Sequence, residues 1–283
     1  MRTAVSVAFQ LVSHTLRRFM QNDGMARAGY MAFASLLAFF PFMIFLGALA
    51  SFMGGLDAID EVMAFAVSFL PRDVAETLEP LIGELLERRR GGMLTVGLVG
   101  TMWAASVELE AFRYALNRAG SVPEGVADHL PIWQRQLKGM FLILLGVSAF
   151  LLAVLAVVIG PMIWKLAAPV LDIALTWKWL WDGARYLLAV FVLLAVVTVL
   201  YHWLPDTRPR WFHILPGALL ASLGWLLLAS LFSIFLDRVE IFTVFYGSLG
   251  SIIVTLLFLF FSAADFILGA EFNTALRERQ AEV

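Results

Sequence analysis

Seven residues place polar or ionisable side chains in stretches of the sequence that are otherwise apolar. They are Tyr30, Glu108, Glu110, Arg113, Asn117, Asp265 and Glu271. Carboxylates can bind a proton or a cation, and a guanidinium can bind a phosphate through two parallel hydrogen bonds. Because an ionisable group is costly inside an apolar segment, such groups usually face a bundle interior or water. The set therefore indicates a path for a substrate or an ion.

A purely structural role for the same residues remains open. Glu110 and Arg113 are three positions apart, so on a helix they can form an ion pair with each other. Asp265 and Glu271 would lie close enough to a membrane surface to be hydrated there. The sequence alone does not separate helix pairing from a substrate path.

The residue patterns of common enzyme sites are absent from the sequence. The four histidines, His14, His129, His202 and His213, are scattered, and there is no cysteine. We find no H-E-x-x-H motif, no phosphate-binding P-loop and no G-x-S-x-G motif. We therefore predict no catalytic residue, no metal site and no cofactor, and a protein that is not an enzyme.

The elements that must position these residues are helices in lipid. Of the 283 residues, 61% are hydrophobic and 15% are charged, and the apolar residues form runs rather than an amphipathic pattern. Such runs are typical of membrane spans. The net charge of −2 gives no basic surface for nucleic acid. The sequence predicts an all-α, polytopic membrane protein that does not bind nucleic acid.

Six segments are long enough to cross about 30 Å of hydrocarbon. They are Ala28–Met53, Gly91–Leu116, Met140–Trp164, Arg185–Leu204, Ile214–Leu236 and Ile241–Ala270. With an even number of spans both termini lie on one side, and cytoplasmic termini put the larger share of the 20 lysines and arginines inside. We expect one membrane domain over residues 1–283. It comprises a cytoplasmic amphipathic helix (1–27), a six-helix bundle (28–270) and a cytoplasmic tail (271–283).

Two segments outside the spans are amphipathic. The first is the N-terminal helix, whose apolar residues from Ala4 to Phe19 recur at helical spacing. With Arg17 and Arg18 it is suited to lie on anionic lipid, although packing under the bundle fits the pattern equally well. The second is an external loop over residues 54–90 that we predict to be helical, either as a lid or resting at the interface.

Two further motifs bear on helix packing. Pro41 falls within the first span, where it removes a backbone hydrogen bond and should kink the helix, so it is a candidate hinge. Tyr246, Gly247 and Gly250 belong to a small-residue motif near the start of the last span. This motif favours close contact between helices. The alternative is a broken helix that lines a transport pathway.

Several of these motifs occur in an order that resembles the YihY/BrkB family of bacterial inner-membrane proteins, some of which were once labelled ribonuclease BN. The resemblance rests on residues 28–36 leading to Phe40-Pro41, and on residues 116–118, 201–206, 216–218, 246–250 and 268–273. It implies six helices with cytoplasmic termini in a bacterial plasma membrane. It also implies links to the export of lipids or envelope precursors, and it implies that the ribonuclease label is a misassignment.

Two functions follow as hypotheses. In the first, the protein is a transporter or flippase-like protein for an amphipathic anionic lipid, with Arg113 binding a headgroup phosphate. A cation or a proton would then be bound by four carboxylates, Glu108, Glu110, Asp265 and Glu271. In the second, it is a non-transporting scaffold for envelope-assembly proteins, and the charges only hold helices together. Membrane lipids are the expected partners in either case, the oligomeric state is left open, and ribonuclease activity is not expected.

Overall fold

A computed structural model describes residues 2–39, 91–122, 178–207, 209–236 and 248–281, together with six single positions between 137 and 148. Six continuous helices make up the regular structure of these residues, which contain no strand. The helices are α1 (Arg2–Gln21), α2 (described over residues 24–39), α3 (Gly91–Ala119), α4 (Lys178–Trp203), α5 (Trp211–Leu236) and α6 (Ser248–Ala281). For the described residues, the prediction of an all-α fold is confirmed.

The helices extend beyond several predicted spans. α3 continues past Leu116 to Ala119, α4 begins at Lys178 rather than Arg185, and α6 continues past Ala270 to Ala281. The extension of α6 has a local cause, because residues 271–281 are rich in Ala, Glu, Arg, Leu and Gln, which are good helix formers. The segment predicted as a tail is therefore the last part of a long helix.

Among the residues that the structure describes, two helices are long and apolar enough to cross a membrane, over Trp211–Phe235 of α5 and Ile252–Ala281 of α6. α4 has a shorter apolar stretch, Leu187–Trp203. One face of α5 carries outward apolar side chains: Phe212 is 85% exposed, and Leu223, Leu227 and Leu231 follow as an exposed row at intervals of four. An outward apolar row of this length suits lipid rather than water.

Several predicted features lie wholly or mainly outside the described residues. These are the first span beyond residue 39, the external loop 54–90 and most of the third span Met140–Trp164. Within that third span only Phe141, Leu142, Leu145 and Ser148 are described, and all four are helical.

The chain divides into two compact units. Unit 1 comprises Met1–Thr15, Leu116–Gly224 and Gly269–Val283, and unit 2 comprises Leu16–Ala115 and Trp225–Leu268.

Unit 1 is built on a close crossing of α5 and α6. A Cβ atom on Gly217 would overlap the carbonyl oxygen of Gly269, and a Cβ on Gly269 would lie 2.6 Å from the carbonyl oxygen of Gly217. Small residues beside them are also buried, including Ala218, Ala221 and Ser222. Small residues at such spacing let two helix backbones meet, which is the usual basis of packing between membrane helices.

Unit 2 is packed by aromatic side chains. Phe112 of α3 meets Phe266 of α6 edge-on with ring centroids 5.2 Å apart, and Phe258 of α6 packs on Phe232 and Trp225 of α5 at 4.9 and 6.3 Å. Edge-on and tilted ring pairs at these distances are attractive beyond the area that they bury. Three helices are thereby joined within this unit.

The junction of α1 and α2, also in unit 2, is a tight corner. Asp23 has a left-handed backbone with φ of 52°, and a Cβ on Gly24 would overlap the ring of Phe19. Arg27 is buried, donates a hydrogen bond to the carbonyl of Asn22, and lies 5.0 Å from the centre of the Tyr114 ring. A buried arginine thus links the corner to α3.

Candidate functional site

A half-open cleft of about 40 Å³ lies in unit 1. Its walls come from the end of α3, the end of α4, the loop after α4, the start of α5 and the last part of α6. The lining residues are Leu116, Gly120, Tyr201, Pro205, Thr207, Pro209, Ile214, Ala270, Asn273, Thr274 and Arg277. The volume suits a few water molecules or one small polar group.

The floor of the cleft is buried and its rim is polar. Tyr201, Asn273 and Thr274 are each more than 90% buried, whereas Thr207 on the rim is exposed. Arg277 lines the cleft from one turn beyond Asn273 and donates a hydrogen bond of 2.9 Å to the Thr274 hydroxyl. A guanidinium has five N–H donors in a planar fork that matches a phosphate or carboxylate. The cleft therefore has the chemistry to bind an anion.

Asn117 and Asp206 fix the loop that forms one wall. The Asn117 side-chain amide donates to an Asp206 carboxylate oxygen at 2.7 Å, and the Asp206 backbone N–H donates to the Asn117 side-chain oxygen at 2.9 Å. The pair joins the end of α3 to the loop after α4. Reciprocal bonds of this kind, one of them to a carboxylate, hold both partners in one orientation.

His202 fixes the other end of the same loop. Its Nδ1 lies 2.7 Å from the carbonyl oxygen of Pro209, and its ring stacks on Trp211 with centroids 3.9 Å apart. Because a carbonyl only accepts, Nδ1 must carry the proton. With Pro205 and Pro209 also in the loop, the wall of the cleft is conformationally restricted.

Asn273 has two roles in unit 1. It lines the cleft, and it also accepts a hydrogen bond of 2.7 Å from the Gly217 N–H and donates one of 3.0 Å to the Ile214 carbonyl. Pro216 lies between these two residues and cannot donate to the helix. The Asn273 side chain thus satisfies backbone groups beside the proline and joins α5 to α6.

Glu271, a predicted site residue that belongs to unit 1, is 0% exposed and has an interaction partner. A fully buried carboxylate is neither hydrated nor extended to the membrane surface. The burial of Glu271 thus does not match the predicted surface hydration, and its place on a substrate or ion path stays a prediction.

Five of the predicted site residues lie in unit 2. Glu108 accepts a hydrogen bond of 2.8 Å from the Ser35 hydroxyl of α2. Glu110 and Arg113 form the ion pair that their spacing allows, at 3.1 Å. Asp265 is partly buried and makes no hydrogen bond or ion pair with another described residue, and Tyr30 is 48% exposed.

The predicted site residues are thus divided between the two units. Asn117 and Glu271 belong to unit 1, and the other five belong to unit 2. Among the hinge and packing residues, Pro41, Tyr246 and Gly247 lie outside the described residues, and Gly250 lies in the first turn of α6. In the part of the chain that is described, no group of three or more His, Asp or Glu could hold a metal ion.

The cleft residues Tyr201, Thr207, Thr274 and Arg277 were not predicted as site residues. Arg277 fell in the presumed tail, where a charged run usually marks a solvated end. The signal that would have found it is helical spacing, because Ala270, Asn273, Thr274 and Arg277 recur on one face of a helix. These residues share a helix face beside the cleft only because α6 continues to Ala281 instead of ending at Ala270.

Comparisons with known proteins agree with this picture of a helical membrane protein. The chain is 28% identical over 263 residues to YfkH of Bacillus subtilis, a protein named as ribonuclease-like, and covers 94% of it. It is 26% identical to membrane proteins of the UPF0761 group from Aromatoleum aromaticum and Chromohalobacter salexigens, which it aligns to over 92% and 99% of its own length.

The chain spans only 61% and 66% of those two relatives. No solved structure matches it. The family model described as virulence factor BrkB matches residues 15–283, which is nearly the whole sequence. Given this match and relatives that are named membrane proteins, the chain belongs to the BrkB family of membrane proteins.

Proposed function

We propose that this membrane protein is a transporter or flippase-like protein for an amphipathic anionic lipid or envelope precursor, and that the unit 1 cleft binds the anionic headgroup. One observation carries the proposal: Arg277, Thr274 and Thr207 line a half-open cleft with a buried floor. Arginine with hydroxyl and amide donors is a usual setting for a phosphate group.

The size of the cleft fits a headgroup rather than a whole lipid. A volume of about 40 Å³ admits a small polar group, so acyl chains would remain outside it. The exposed apolar side chains of α4 and α5, such as Leu187, Phe191, Phe212 and Leu219, give such chains a compatible surface. Headgroup and chains would then be bound by different parts of unit 1.

The proposal includes the predicted layout of six spans in the bacterial inner membrane with both termini in the cytoplasm. Since Arg277 is near the C-terminus, the cleft would open toward the cytoplasmic leaflet. A substrate made in the cytoplasm would meet this side first. Glu108 and Asp265 are retained in the proposal as sites for a proton or cation.

The first experiment compares lipids retained by the wild type and by Arg277→Ala in native mass spectrometry. Hydrogen bonds to a charged group contribute about 1.5–3 kcal/mol, so we expect anionic lipid to bind at least about tenfold more weakly in the variant. Arg279→Ala is the matched control, since it removes the same charge from the same helix without touching the cleft. Arg113→Ala tests the residue that the sequence predicts to bind the headgroup phosphate.

The second measurement is movement of a fluorescent phosphatidylglycerol across the bilayer of proteoliposomes, followed by chemical quenching of the outer leaflet. Flux should fall in Arg277→Ala and persist in Arg279→Ala. Equal lipid retention and equal flux in the two variants would exclude the cleft as the headgroup site. A stable wild-type protein that moves no anionic lipid would favour the scaffold, for which the same variants should change partner binding instead.

A further inference from the structure

Helix α1 presents three different faces. Leu11, Thr15 and Phe19 point toward the protein, where Thr15 and Phe19 are buried. Polar residues Gln10, Ser13, His14, Arg17 and Gln21 form an exposed face on the other side of the helix. A third face between them is apolar and uncovered, and we call it the α1 stripe; it consists of Phe9, Val12, Leu16 and Met20.

The α1 stripe is too apolar to face water without a partner. Its residues are 50–74% exposed and recur at intervals of three or four, so they form one continuous row along the helix. Packing under the bundle accounts for Leu11, Thr15 and Phe19 but leaves this row unexplained. The two interpretations of the N-terminal helix therefore apply to different faces of it.

The first part of α1, up to Thr15, belongs to unit 1, and one contact there relates this helix to the end of α6. The His14 ring nitrogen lies 3.9 Å from a carboxylate oxygen of Glu278, close to the end of α6. At about 1.5 Å per residue, the 34 residues of α6 extend about 51 Å, well beyond a hydrocarbon core of about 30 Å. The end of α6 that meets α1 therefore reaches the headgroup region of a membrane.

The charge of α1 selects the type of lipid. The helix contains three arginines and no acidic residue, and Arg17 is exposed beside the stripe. Basic residues at a membrane surface attract anionic lipid by about 1 kcal/mol each. A second copy of the chain would offer no such complementary charge from its own α1.

We propose that α1 lies in the headgroup region of an anionic leaflet, with the α1 stripe inserted among the acyl chains and Arg17 beside lipid phosphates. This arrangement does not require lipid transport, and its test does not measure flux. It assigns a membrane-binding role to the first helix, separate from the spans.

The absence of cysteine from the chain permits a direct test. A single nitroxide label is placed at Val12→Cys or Leu16→Cys in the full-length protein, in vesicles of phosphatidylcholine with and without phosphatidylglycerol. The relative accessibility of the label to oxygen and to a water-soluble nickel complex reports its depth. We expect stripe labels to favour oxygen, and control labels at Gln10→Cys and Ser13→Cys to favour nickel.

The anionic preference is tested with Arg17→Glu in the same labelled proteins. We expect phosphatidylglycerol to deepen the stripe labels when Arg17 is present, and this response to be lost in Arg17→Glu. Equal nickel accessibility at positions 12, 13 and 16 would overturn the proposal. Spin–spin broadening from a neighbouring label at position 12 or 16 would also overturn it, because a second copy would then cover the stripe.

Discussion

Gly217 of α5 and Gly269 of α6 meet backbone to backbone, with no room for a side chain on either residue. The Tyr201 hydroxyl also lies against Gly269, and Ala221 is 2.9 Å from where its Cβ would be. This crossing holds the floor of the cleft, because Tyr201 and Asn273 both belong to it. The geometry of the candidate site therefore depends on two glycines.

Substituting either glycine should destabilise the protein. In Gly217→Ala or Gly269→Ala the new Cβ would overlap backbone atoms, and α5 and α6 would have to separate. Overpacking of a well-packed core costs about 1–3 kcal/mol, and we expect at least that here since the neighbour is backbone. The measurement is the midpoint of thermal unfolding in detergent.

Two other glycines provide the control. Gly29 in α2 and Gly183 in α4 have nothing within 4 Å of an added Cβ. Alanine in a helix is better than glycine by about 0.5–1 kcal/mol, so Gly29→Ala and Gly183→Ala should leave the midpoint unchanged or raise it. If all four variants lost stability equally, close packing at the crossing would not be the cause.

Asn273→Ala should lose both links to α5. The Gly217 N–H and the Ile214 carbonyl would be left without their side-chain partner in a buried position, which costs about 1–3 kcal/mol per group. Asn273→Asp offers a sharper comparison because a carboxylate can still accept from Gly217 but cannot donate to Ile214. Both variants should lower the unfolding midpoint, since Asn273→Asp buries a charge that faces the Ile214 carbonyl, and a midpoint for Asn273→Ala equal to the wild type would refute the bridging role.

Asn117 and Asp206 should be energetically coupled. A double-mutant cycle with Asn117→Ala and Asp206→Ala should give a coupling energy of about 1–3 kcal/mol, since the pair makes two bonds and one accepts at a carboxylate. The pair Glu110 and Arg113, whose glutamate is exposed, serves as the reference, since a pair one turn apart on a helix usually contributes about 0.3–0.5 kcal/mol. Additive effects of Asn117→Ala and Asp206→Ala would show that the bonds do not fix the loop.

Ser35→Ala should be more harmful than removal of a serine that bonds only within its own helix. The Ser35 hydroxyl of α2 donates a hydrogen bond to Glu108 of α3, so its loss leaves a carboxylate short of one donor and costs about 1.5–3 kcal/mol. Ser230 of α5 bonds to the Leu226 carbonyl one turn back. Ser230→Ala should be nearly neutral, and equal unfolding midpoints for the two variants would contradict the role of the Ser35 bond.

Features that depend on local spacing were predictable from the sequence. The helical character of the chain, the amphipathic first helix and the Glu110–Arg113 pair follow from periods of three to four residues, and the structure confirms them. The membrane location follows from apolar run length, in agreement with the relatives. The absence of enzyme activity and the identity of the substrate stay predictions.

Contacts between distant segments were not predictable. Asn117 and Asp206 are 89 positions apart, and Gly217 and Asn273 are 56 apart. Whether these residues meet depends on which helix faces pack together. The spacing of residues along a single helix does not specify this. The motifs that carry the family resemblance do contain these residues, but a motif gives no partner until the helices are packed.

The corner between α1 and α2 has a mechanical consequence. The left-handed Asp23, the contact of Gly24 with Phe19 and the buried Arg27 leave little freedom between the two helices. In the arrangement proposed for α1, the angle between this helix and the bilayer would therefore be coupled to the direction of α2. A change in bilayer thickness that altered this direction would rotate α1 relative to the membrane plane, so the first helix would respond to the mechanical state of the lipid as well as to its charge.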